Sequence, residues 1–366
     1  MTATTDARFM ALALSLGARG LGRVWPNPAV GCVIVRDGRI VGRGWTAPGG
    51  RPHAEPIALA QAGDAACGAT AYVSLEPCSH HGKTPPCANA LIAAGIARVV
   101  TALEDPDPRV AGRGHDMLRA AGIEVTVGIL ADAARRAHRG FLLSRETGRP
   151  MLTLKLATSF DGRIATASGE SQWITGPKAR RMVHALRARH DAVLVGGGTA
   201  RADDPQLTVR GLGVPTQPVR VIAAAGLDLP ENGKLAASAA ASPLWLCHAP
   251  DAPAQRKAAW AARGARLIQI DSDPQGRLIP QALMRALGAA GLTRVFCEGG
   301  GQLAAALLSA NLVDELAGFT AGLALGAEGR PALGAMALDR LADAPRFRLI
   351  ETRRVGADAL HLWERD

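Results

Sequence analysis

Residues 77–87 read PCSHHGKTPPC, a segment with two cysteines, two histidines and three prolines that is too rigid and too polar for a core. Upstream, the motif HAE begins a stretch with helical apolar spacing. A catalytic zinc ion takes three nitrogen or sulfur ligands and leaves one position open for water. His53, Cys78 and Cys87 supply such a set, and Glu55 can face the activated water and move protons. An H-x-E motif followed by Pro-Cys and a second cysteine predicts a zinc deaminase, here with a lengthened segment between the cysteines.

The two cysteines have different predicted surroundings. Cys78 follows Pro77 at the end of a predicted strand, and Cys87 opens the next predicted helix. The positive end of that helix dipole would favour the thiolate of Cys87, which is the form that binds zinc. Three alternatives stay open: a buried inert cysteine pair, a closed structural zinc site with His80 or His81 as fourth ligand, and a disulfide, which would require an oxidising compartment.

Length and composition limit the possible classes of protein. A chain of 366 residues predicts two domains. The net charge of +10 fits nucleic acid, a phosphorylated substrate or a basic surface, but one tyrosine and six phenylalanines are poor material for base stacking. No apolar run approaches the roughly 20 residues of a membrane span, and the apolar N-terminal patch lacks a convincing cleavage site. We therefore predict a cytoplasmic protein that binds neither nucleic acid nor membranes.

Strand-like and helix-like segments alternate along both halves of the chain. VGCVIV and RIVGRGW flank Asp37-Gly38, a dipeptide that suits a hairpin turn, and HAEPIALAQAG is helical with a stop at Gly63. The polar segment SRETGRP precedes a new strand, MLTLKLA. This alternation predicts an α/β fold with largely parallel sheets, divided into domains 1–146 and 147–366.

The second half carries two glycine clusters, LVGGGT at 194–199 and FCEGGGQL at 296–303, each after a predicted strand. Glycine lets the backbone approach a ligand closely, and a following helix offers N–H groups to phosphate. The dinucleotide fingerprint GxGxxG is missing, so the pattern does not indicate a Rossmann fold. The polar segments 159–176 and 200–210 are typical of loops around a polar ligand, with ordinary surface loops as the alternative.

The chain resembles the family of bifunctional deaminase/reductase proteins of riboflavin biosynthesis. The resemblance rests on PNPAVGCVIVRDGRIVGRGW, HAE and LEPCSHHGKTPPC in the first half. In the second half it rests on GRPMLTLKLATSFDGRIATASGESQWITG, VGGGTARADDPQLTVR and CEGGGQLAAALL. It implies a cytidine-deaminase-like α/β/α sandwich followed by a dihydrofolate-reductase-like α/β domain. The implied activities are zinc-dependent deamination of a diaminopyrimidinone ribosylamino phosphate and NADPH-dependent reduction of its ribosyl group, in a homodimer or higher homo-oligomer.

The same resemblance assigns roles to residues at matching positions. In the first domain it implies Zn²⁺ ligation by His53, Cys78 and Cys87 and proton transfer by Glu55. Asn27 would bind the pyrimidine, and Lys83 and Thr84 could reach the phosphate. The implied NADPH contacts are Ala157, Trp173, Thr199, Asp203, Gly300 and Gly301. The implied substrate contacts in the second domain are Ser171, Arg187, Leu207, Arg210 and Glu298.

One segment departs from the family pattern. Residues 223–226 read AAAG where the family commonly has Asp-Ser, and that serine is a candidate contact for the phosphate of NADPH. A deaminase with a vestigial reductase domain therefore stays open as an alternative. A zinc-stabilised nucleic-acid-binding protein is the alternative from another class, although it leaves the second domain unexplained.

Overall fold

The computed structural model describes residues 3–80, 85–107 and 110–365. The chain divides into two compact units, Met1–Gly148 and Arg149–Asp366, at a point beside the boundary predicted near residue 147. Both units are α/β structures in which helices follow strands along the chain. No helix among the described residues is both long enough and apolar enough to cross a bilayer.

The N-terminal unit consists of short strands and helices in alternation. Its strands are β1 Gly31–Arg36, β2 Arg39–Trp45, β3 Thr70–Val73, β4 Arg98–Thr101 and β5 Glu124–Val127. Its helices are α1 Ala3–Gly17, α2 Ala54–Ala62, α3 Cys87–Ala93, α4 Arg113–Ala120 and α5 Ala131–Thr147. The predicted hairpin joins β1 to β2, with Asp37 and Gly38 at φ 51° and 73°. Gly63 ends α2 as predicted, at φ 53°.

The described strands of this unit form one sheet in the order β2-β1-β3-β4-β5. Only β3, β4 and β5 run parallel, whereas β1 is antiparallel to both β2 and β3. The prediction of a largely parallel sheet is therefore wrong for this unit. For β1 and β2 the reason is the tight turn at Asp37-Gly38, which forces antiparallel pairing because parallel neighbours need a long crossover.

Glycines on β2 bring α2 close to the sheet. A Cβ atom at Gly42 would lie 2.2 Å from the carbonyl oxygen of Ala58, and one at Gly44 would lie 2.1 Å from that of Ala54. Only glycine permits so close an approach of helix and strand. Because Ala54 is the first residue of α2, this packing fixes the start of the helix and the two residues beside it, His53 and Glu55.

A buried polar network ties α1 to the sheet. Asp6 of α1 accepts a 2.7 Å hydrogen bond from the hydroxyl of Tyr72 on β3 and two 3.0 Å hydrogen bonds from the guanidinium of Arg98 on β4. Burial alone would raise the pKa of Asp6, but the hydrogen bonds from Arg98 and Tyr72 lower it below its ordinary value. The lowered pKa means that the network stabilises the fold at neutral pH and loses its effect as the pH falls through the folded-state pKa.

We expect Asp6→Asn to lower the free energy of unfolding by about 3 kcal/mol. The neutral amide removes the charge that pairs with the guanidinium of Arg98 and leaves one acceptor oxygen where the carboxylate had two. Thermal and urea unfolding at neutral pH measure the change. Asp132→Asn is the matched control, since Asp132 makes an exposed ion pair with Arg135 on α5. This variant should lower the free energy of unfolding by less than about 1 kcal/mol. Equal effects of the two variants would contradict the role of the network.

The C-terminal unit has a longer run of elements. Its strands are β6 Met151–Ser159, β7 Arg163–Ala165, β8 Ala192–Gly196, β9 Val219–Ala223, β10 Leu244–His248, β11 Arg266–Gln269, β12 Arg294–Gly299, β13 Glu315–Ala321, β14 Arg330–Pro331, β15 Arg348–Val355 and β16 Asp358–Glu364. Its helices are α6 Pro177–Arg187, α7 Gly197–Asp203, α8 Lys234–Ala237, α9 Ala254–Ala262, α10 Pro280–Ala289 and α11 Gly301–Ser309.

The main sheet of this unit has the order β11-β10-β9-β8-β12-β6-β13-β16-β15 over the described chain. The strands from β11 to β13 pair in parallel, and the hairpin of β15 and β16 adds two antiparallel strands. The predicted parallel arrangement is thus confirmed for this unit. Parallel strands end at the same edge of a sheet, so the segments after β6, β8 and β12 meet there.

Candidate active sites

The predicted zinc ligands converge in the N-terminal unit. His53 directly precedes α2, Cys78 lies in the loop after β3, and Cys87 is the first residue of α3. The Nδ1 atom of His53 is 3.3 Å from the sulfur of Cys87 and 3.6 Å from that of Cys78. Zinc bonds of about 2.0–2.3 Å in a tetrahedral arrangement place ligand atoms about 3.6 Å apart. One nitrogen and two sulfur donors at this spacing fit a zinc ion.

The helix N-terminus acts on a different cysteine from the one predicted. The backbone N–H of Cys87, the first in α3, donates a 3.3 Å hydrogen bond to the sulfur of Cys78. The pKa of Cys78 is lowered to about 4, first by a hydrogen bond from the thiol of Cys87 and then by those from His53 and from the N–H of Cys87. These hydrogen bonds outweigh burial, which acts to raise the pKa. The neighbouring sulfur of Cys78, together with burial, raises the pKa of Cys87. The prediction that the helix favours the thiolate of Cys87 is wrong, because the helix N–H points at Cys78 instead.

The structure also bears on the alternatives for this segment. Cys78 and Cys87 are free cysteines, which disfavours a disulfide. Within the described residues, His53, Cys78 and Cys87 form a ligand cluster in which His80 has no place, so a closed four-ligand site through His80 is not formed. Three other residues singled out from the sequence, His81, Lys83 and Thr84, lie outside the described part of the chain.

Glu55 is buried beside this cluster, with 3% of its surface exposed. Burial, and then the nearby charge of Cys78, raise the pKa of Glu55 to about 7. A carboxyl group with such a pKa can both take up and release a proton near neutral pH. Its place in the first turn of α2, two residues after His53, follows from the close packing of α2 on β2.

A cavity opens in front of the zinc cluster. Asn27, for which we predict a contact with the pyrimidine, lines this cavity, and Gly50 leaves room for its side chain, since a Cβ atom at Gly50 would lie 1.8 Å from Nδ2 of Asn27. Several lining residues were not predicted from the sequence: Arg51, Glu76, Asp105, Asp107, Phe141 and Arg145. The cavity therefore combines candidate zinc ligands with a wall of carboxylates and two arginines.

The carboxylate wall comes from a segment next to the zinc loop. Because β3 and β4 are parallel neighbours, the residues after β4 lie beside those that lead to Cys78. Asp105 and Asp107 are both buried, and burial together with the carboxylate of Asp107 raises the pKa of Asp105 to about 6. The sequence LEDPDP at 103–108 carried a signal, namely acids directly after a strand, but the adjacency depends on the strand order.

In the C-terminal unit, the two glycine clusters meet. They follow β8 and β12, which pair in parallel. A Cβ atom at Gly300 would lie 2.9 Å from Oγ1 of Thr199, and one at Gly196 would lie 3.7 Å from Cβ of Leu303. Gly299 and Gly300 have φ of 100° and 88°, a conformation that side chains rarely adopt. The turn before α11 is thus a cradle of bare backbone, which fits a phosphate-bearing coenzyme.

The predicted substrate residues of this unit cluster around an ion pair. Glu298, at the end of β12, accepts hydrogen bonds from two nitrogens of the Arg187 guanidinium. Arg187 also donates a 2.8 Å hydrogen bond to the carbonyl oxygen of Thr208, next to Leu207. The backbone N–H of Arg210 donates to Nδ1 of His184, 3.2 Å away on α6. The structure therefore brings Arg187, Leu207, Arg210 and Glu298 into one region.

Two further residues of this region were missed in the sequence. Loss of solvation lowers the pKa of Lys155 on β6, whereas the carboxylate of Glu298 acts to raise it. The carboxylate of Asp203, at the end of α7, also acts to raise the pKa of Lys155. The signal for Lys155 was one lysine in the otherwise apolar strand MLTLKLA. His184 carried no signal, because a histidine on an amphipathic helix is ordinary.

Three other predicted residues, Ala157, Ser171 and Trp173, lie on β6 or between β7 and α6. Ser171 and Trp173 are in the segment between β7 and α6, and Ala157 is on β6 opposite Phe319. Trp173 is 66% exposed, and the guanidinium of Arg180 lies 4.6 Å from its ring centre. No hydrogen bond or ion pair of the described residues joins Ser171 or Trp173 to Glu298, and the exposed indole is accessible to a ligand.

The departing segment at 223–226 lies beside the first glycine cluster. A Cβ atom at Gly197 would be 2.9 Å from Cβ of Ala224. The guanidinium of Arg256 donates a 2.9 Å hydrogen bond to the carbonyl oxygen of Gly226, and Arg201 pairs with Asp228 at 2.7 Å. The turn thus lacks a serine but has two arginines next to it.

Comparison with known families gives a match for each unit. The family described as the cytidine and deoxycytidylate deaminase zinc-binding region matches residues 3–103, and the RibD C-terminal domain matches residues 150–361. These matches confirm the predicted pairing of a cytidine-deaminase-like unit with a reductase unit.

Relatives match both units at once. The riboflavin biosynthesis protein RibD of Escherichia coli strain K12 is 46% identical, over 98% of this chain and 99% of its own. That of Haemophilus influenzae is 44% identical, over 96% and 95%. Among solved structures, Acinetobacter baumannii RibD, form 1, is 39% identical over 99% of each chain, with a TM-score of 0.88. The Thermotoga maritima diaminohydroxyphosphoribosylaminopyrimidine deaminase/5-amino-6-(5-phosphoribosylamino)uracil reductase is 32% identical, covers 100% of this chain and 99% of its own, and has a TM-score of 0.86.

Proposed function

Because this chain belongs to the RibD family of riboflavin biosynthesis proteins, we propose that it carries out two consecutive reactions on one phosphorylated pyrimidine. The first removes an amino group of a diaminopyrimidinone ribosylamino phosphate by hydrolysis. The second reduces the ribosyl group of the product to a ribityl chain. The observation that carries this proposal is the presence, in one chain, of a three-ligand centre beside a buried glutamate and of an Arg187–Glu298 pair beside paired glycine turns.

In the deaminase unit, His53, Cys78 and Cys87 would hold zinc. Zinc bound at such a site activates water for attack on an electron-poor carbon. Glu55 takes a proton from the attacking water and delivers it to the departing amino group, for which its raised pKa is suited. Asn27 offers an amide to the pyrimidine, and the buried carboxylates of Asp105 and Asp107 offer acceptors to its N–H groups.

In the reductase unit, NADPH supplies the hydride. We propose that its contacts are Ala157, Trp173, Thr199, Asp203, Gly300 and Gly301. For the substrate we propose Ser171, Arg187, Leu207, Arg210 and Glu298. We also propose that Lys155 donates a hydrogen bond to the substrate, since its ammonium group is near enough to the carboxylates of Glu298 and Asp203 for both to act on its pKa. The presence of this charged cluster disfavours a vestigial reductase.

We propose that the protein acts in the cytoplasm as a homodimer or higher homo-oligomer and that it does not bind nucleic acid. Size-exclusion chromatography with light scattering tests the assembly, and a monomer at micromolar concentration would contradict it.

Product analysis tests the proposed function. The zinc-loaded protein is incubated with the diaminopyrimidinone ribosylamino phosphate and NADPH, and the product is examined by mass spectrometry. We expect exchange of one amino group for oxygen and addition of two hydrogens to the sugar. Unchanged substrate would contradict the proposal, and exchange without hydrogen addition would favour a deaminase with an inactive reductase unit.

We expect Arg210→Ala to raise the substrate KM of the reductase step roughly tenfold, because a charged hydrogen bond to phosphate is lost. The KM for NADPH should stay within about twofold, since the residue is proposed to contact substrate alone. Steady-state kinetics with the deaminated product measure both values. Arg277→Ala is the control, because the Arg277 side chain is 75% exposed and pairs only locally with Asp273. A larger effect on NADPH than on substrate would move Arg210 to the coenzyme site.

A further inference from the structure

Glu76 lies two residues before the zinc ligand Cys78, and its side chain is fully buried. One carboxylate oxygen accepts hydrogen bonds from the backbone N–H groups of Gly114 at 2.8 Å and His115 at 3.3 Å. The other accepts from those of Asp105 at 3.1 Å and Gly112 at 3.0 Å. One carboxylate therefore binds four backbone groups of the segment that runs from β4 into α4.

That segment carries the acidic wall of the deaminase cavity. Asp105 donates its own N–H to Glu76, and its side chain in turn accepts a 2.9 Å hydrogen bond from the N–H of Asp107. Glu76 is thus linked directly to Asp105 and, through Asp105, to Asp107. Glu55 faces the same cavity from α2.

The same segment packs tightly on the loop that bears Cys78. A Cβ atom at Gly114 would lie 2.1 Å from the carbonyl oxygen of Pro77 and 3.0 Å from Oε1 of Glu76. Gly114 therefore cannot be replaced without moving the wall or the loop. Glu76 is at the centre of this contact, with its backbone on one loop and its four partners on the other.

We propose that Glu76 is a positioning residue for the deamination: it holds Asp105 and Asp107 at the distance from the zinc centre that the pyrimidine requires. The proposal rests on the proposed deaminase function. An ionised carboxylate is the group that suits this place, because it offers acceptors alone and all four partners are donors. A glutamine would turn its NH₂ group toward two of the N–H donors and would lose both hydrogen bonds.

The variant Glu76→Gln tests the proposal with two independent readouts. Hydrogen–deuterium exchange should be at least tenfold faster in 103–115 than in the wild-type protein, with β1 to β3 unchanged. In kinetics, the substrate KM of deamination should rise about tenfold, with kcat within about threefold and the zinc content unchanged. Unchanged zinc content reports that the N-terminal unit of the variant is folded, and the reductase rate on the deaminated product reports the same for the C-terminal unit.

Asp191→Asn is the matched control. Asp191 is also buried, and one of its oxygens accepts hydrogen bonds from the N–H and hydroxyl of Thr293 and from the N–H of Arg294, in the reductase unit. This variant loses a comparable carboxylate but should leave deamination and exchange in 103–115 unchanged. A second variant, Gly114→Ala, disturbs the same contact while the carboxylate of Glu76 is kept, and it should raise the KM of deamination as Glu76→Gln does.

The outcomes separate this proposal from the one on which it rests. Unchanged exchange in 103–115, or an unchanged KM, in Glu76→Gln would overturn the positioning role. Loss of zinc in that variant would also overturn it and would make Glu76 a support of the metal loop. A wild-type protein that releases no ammonia would contradict the deaminase function instead, while faster exchange in the variant would still show that Glu76 holds the segment.

Discussion

Replacement of Glu55 by glutamine should lower the rate of ammonia release about a thousandfold or more, because the group that moves protons between water and the amino group is gone. Glutamine has nearly the same shape and cannot accept a proton from water. Since Glu55 is not one of the three ligand residues, bound zinc should stay at the wild-type level. The variant should still reduce the deaminated product, because its reductase unit is unchanged.

Ammonia release, zinc content and NADPH oxidation are measured on the same preparation of Glu55→Gln. Glu146→Gln is the control, since it makes the same change at an exposed position of α5. Ammonia release within tenfold of wild type would remove Glu55 from the proton-transfer role. Loss of zinc would show that the carboxylate supports the metal rather than the proton transfer.

The second large effect is expected for Cys87→Ser. Serine keeps the size of the side chain but replaces a thiolate by a hydroxyl, which is a much poorer zinc ligand at neutral pH. We expect bound zinc to fall more than about tenfold and deamination to fall with it. The reductase rate on the deaminated product should stay near that of wild type.

Cys67→Ser is the matched control for this variant, because Cys67 is an exposed free cysteine of the same unit. Zinc is measured by atomic absorption after dialysis against a weak chelator. Unchanged zinc in Cys87→Ser would point to a ligand set other than His53, Cys78 and Cys87. Partial recovery of deamination at high zinc concentration would agree with a weakened ligand set.

Local features of the fold could be predicted because their causes are local in sequence. The hairpin at Asp37-Gly38 follows from two residues that tolerate positive φ, and the end of α2 follows from Gly63. The zinc ligands could be found because the H-x-E motif and the two cysteines are short patterns whose chemistry is specific. The structure then brings His53, Cys78 and Cys87 within ligand distance.

The features that were missed depend on which strands are neighbours. Asp105 faces the zinc cavity only because β4 lies next to β3, and the two glycine clusters meet only because β12 lies next to β8. The antiparallel pairing of β1 with β3 is a similar case. Composition and spacing along the chain do not contain strand order, so these contacts needed the structure.

The central claim is that one chain deaminates first and reduces second. It is tested most directly by following ammonia and NADPH together after wild-type protein is mixed with the diaminopyrimidinone ribosylamino phosphate. We expect ammonia to appear first, NADPH oxidation to follow after a lag, and the two amounts to become equal at the end. NADPH oxidation that begins without a lag and exceeds the ammonia released would contradict this order, and ammonia without any NADPH oxidation would contradict the reductase activity.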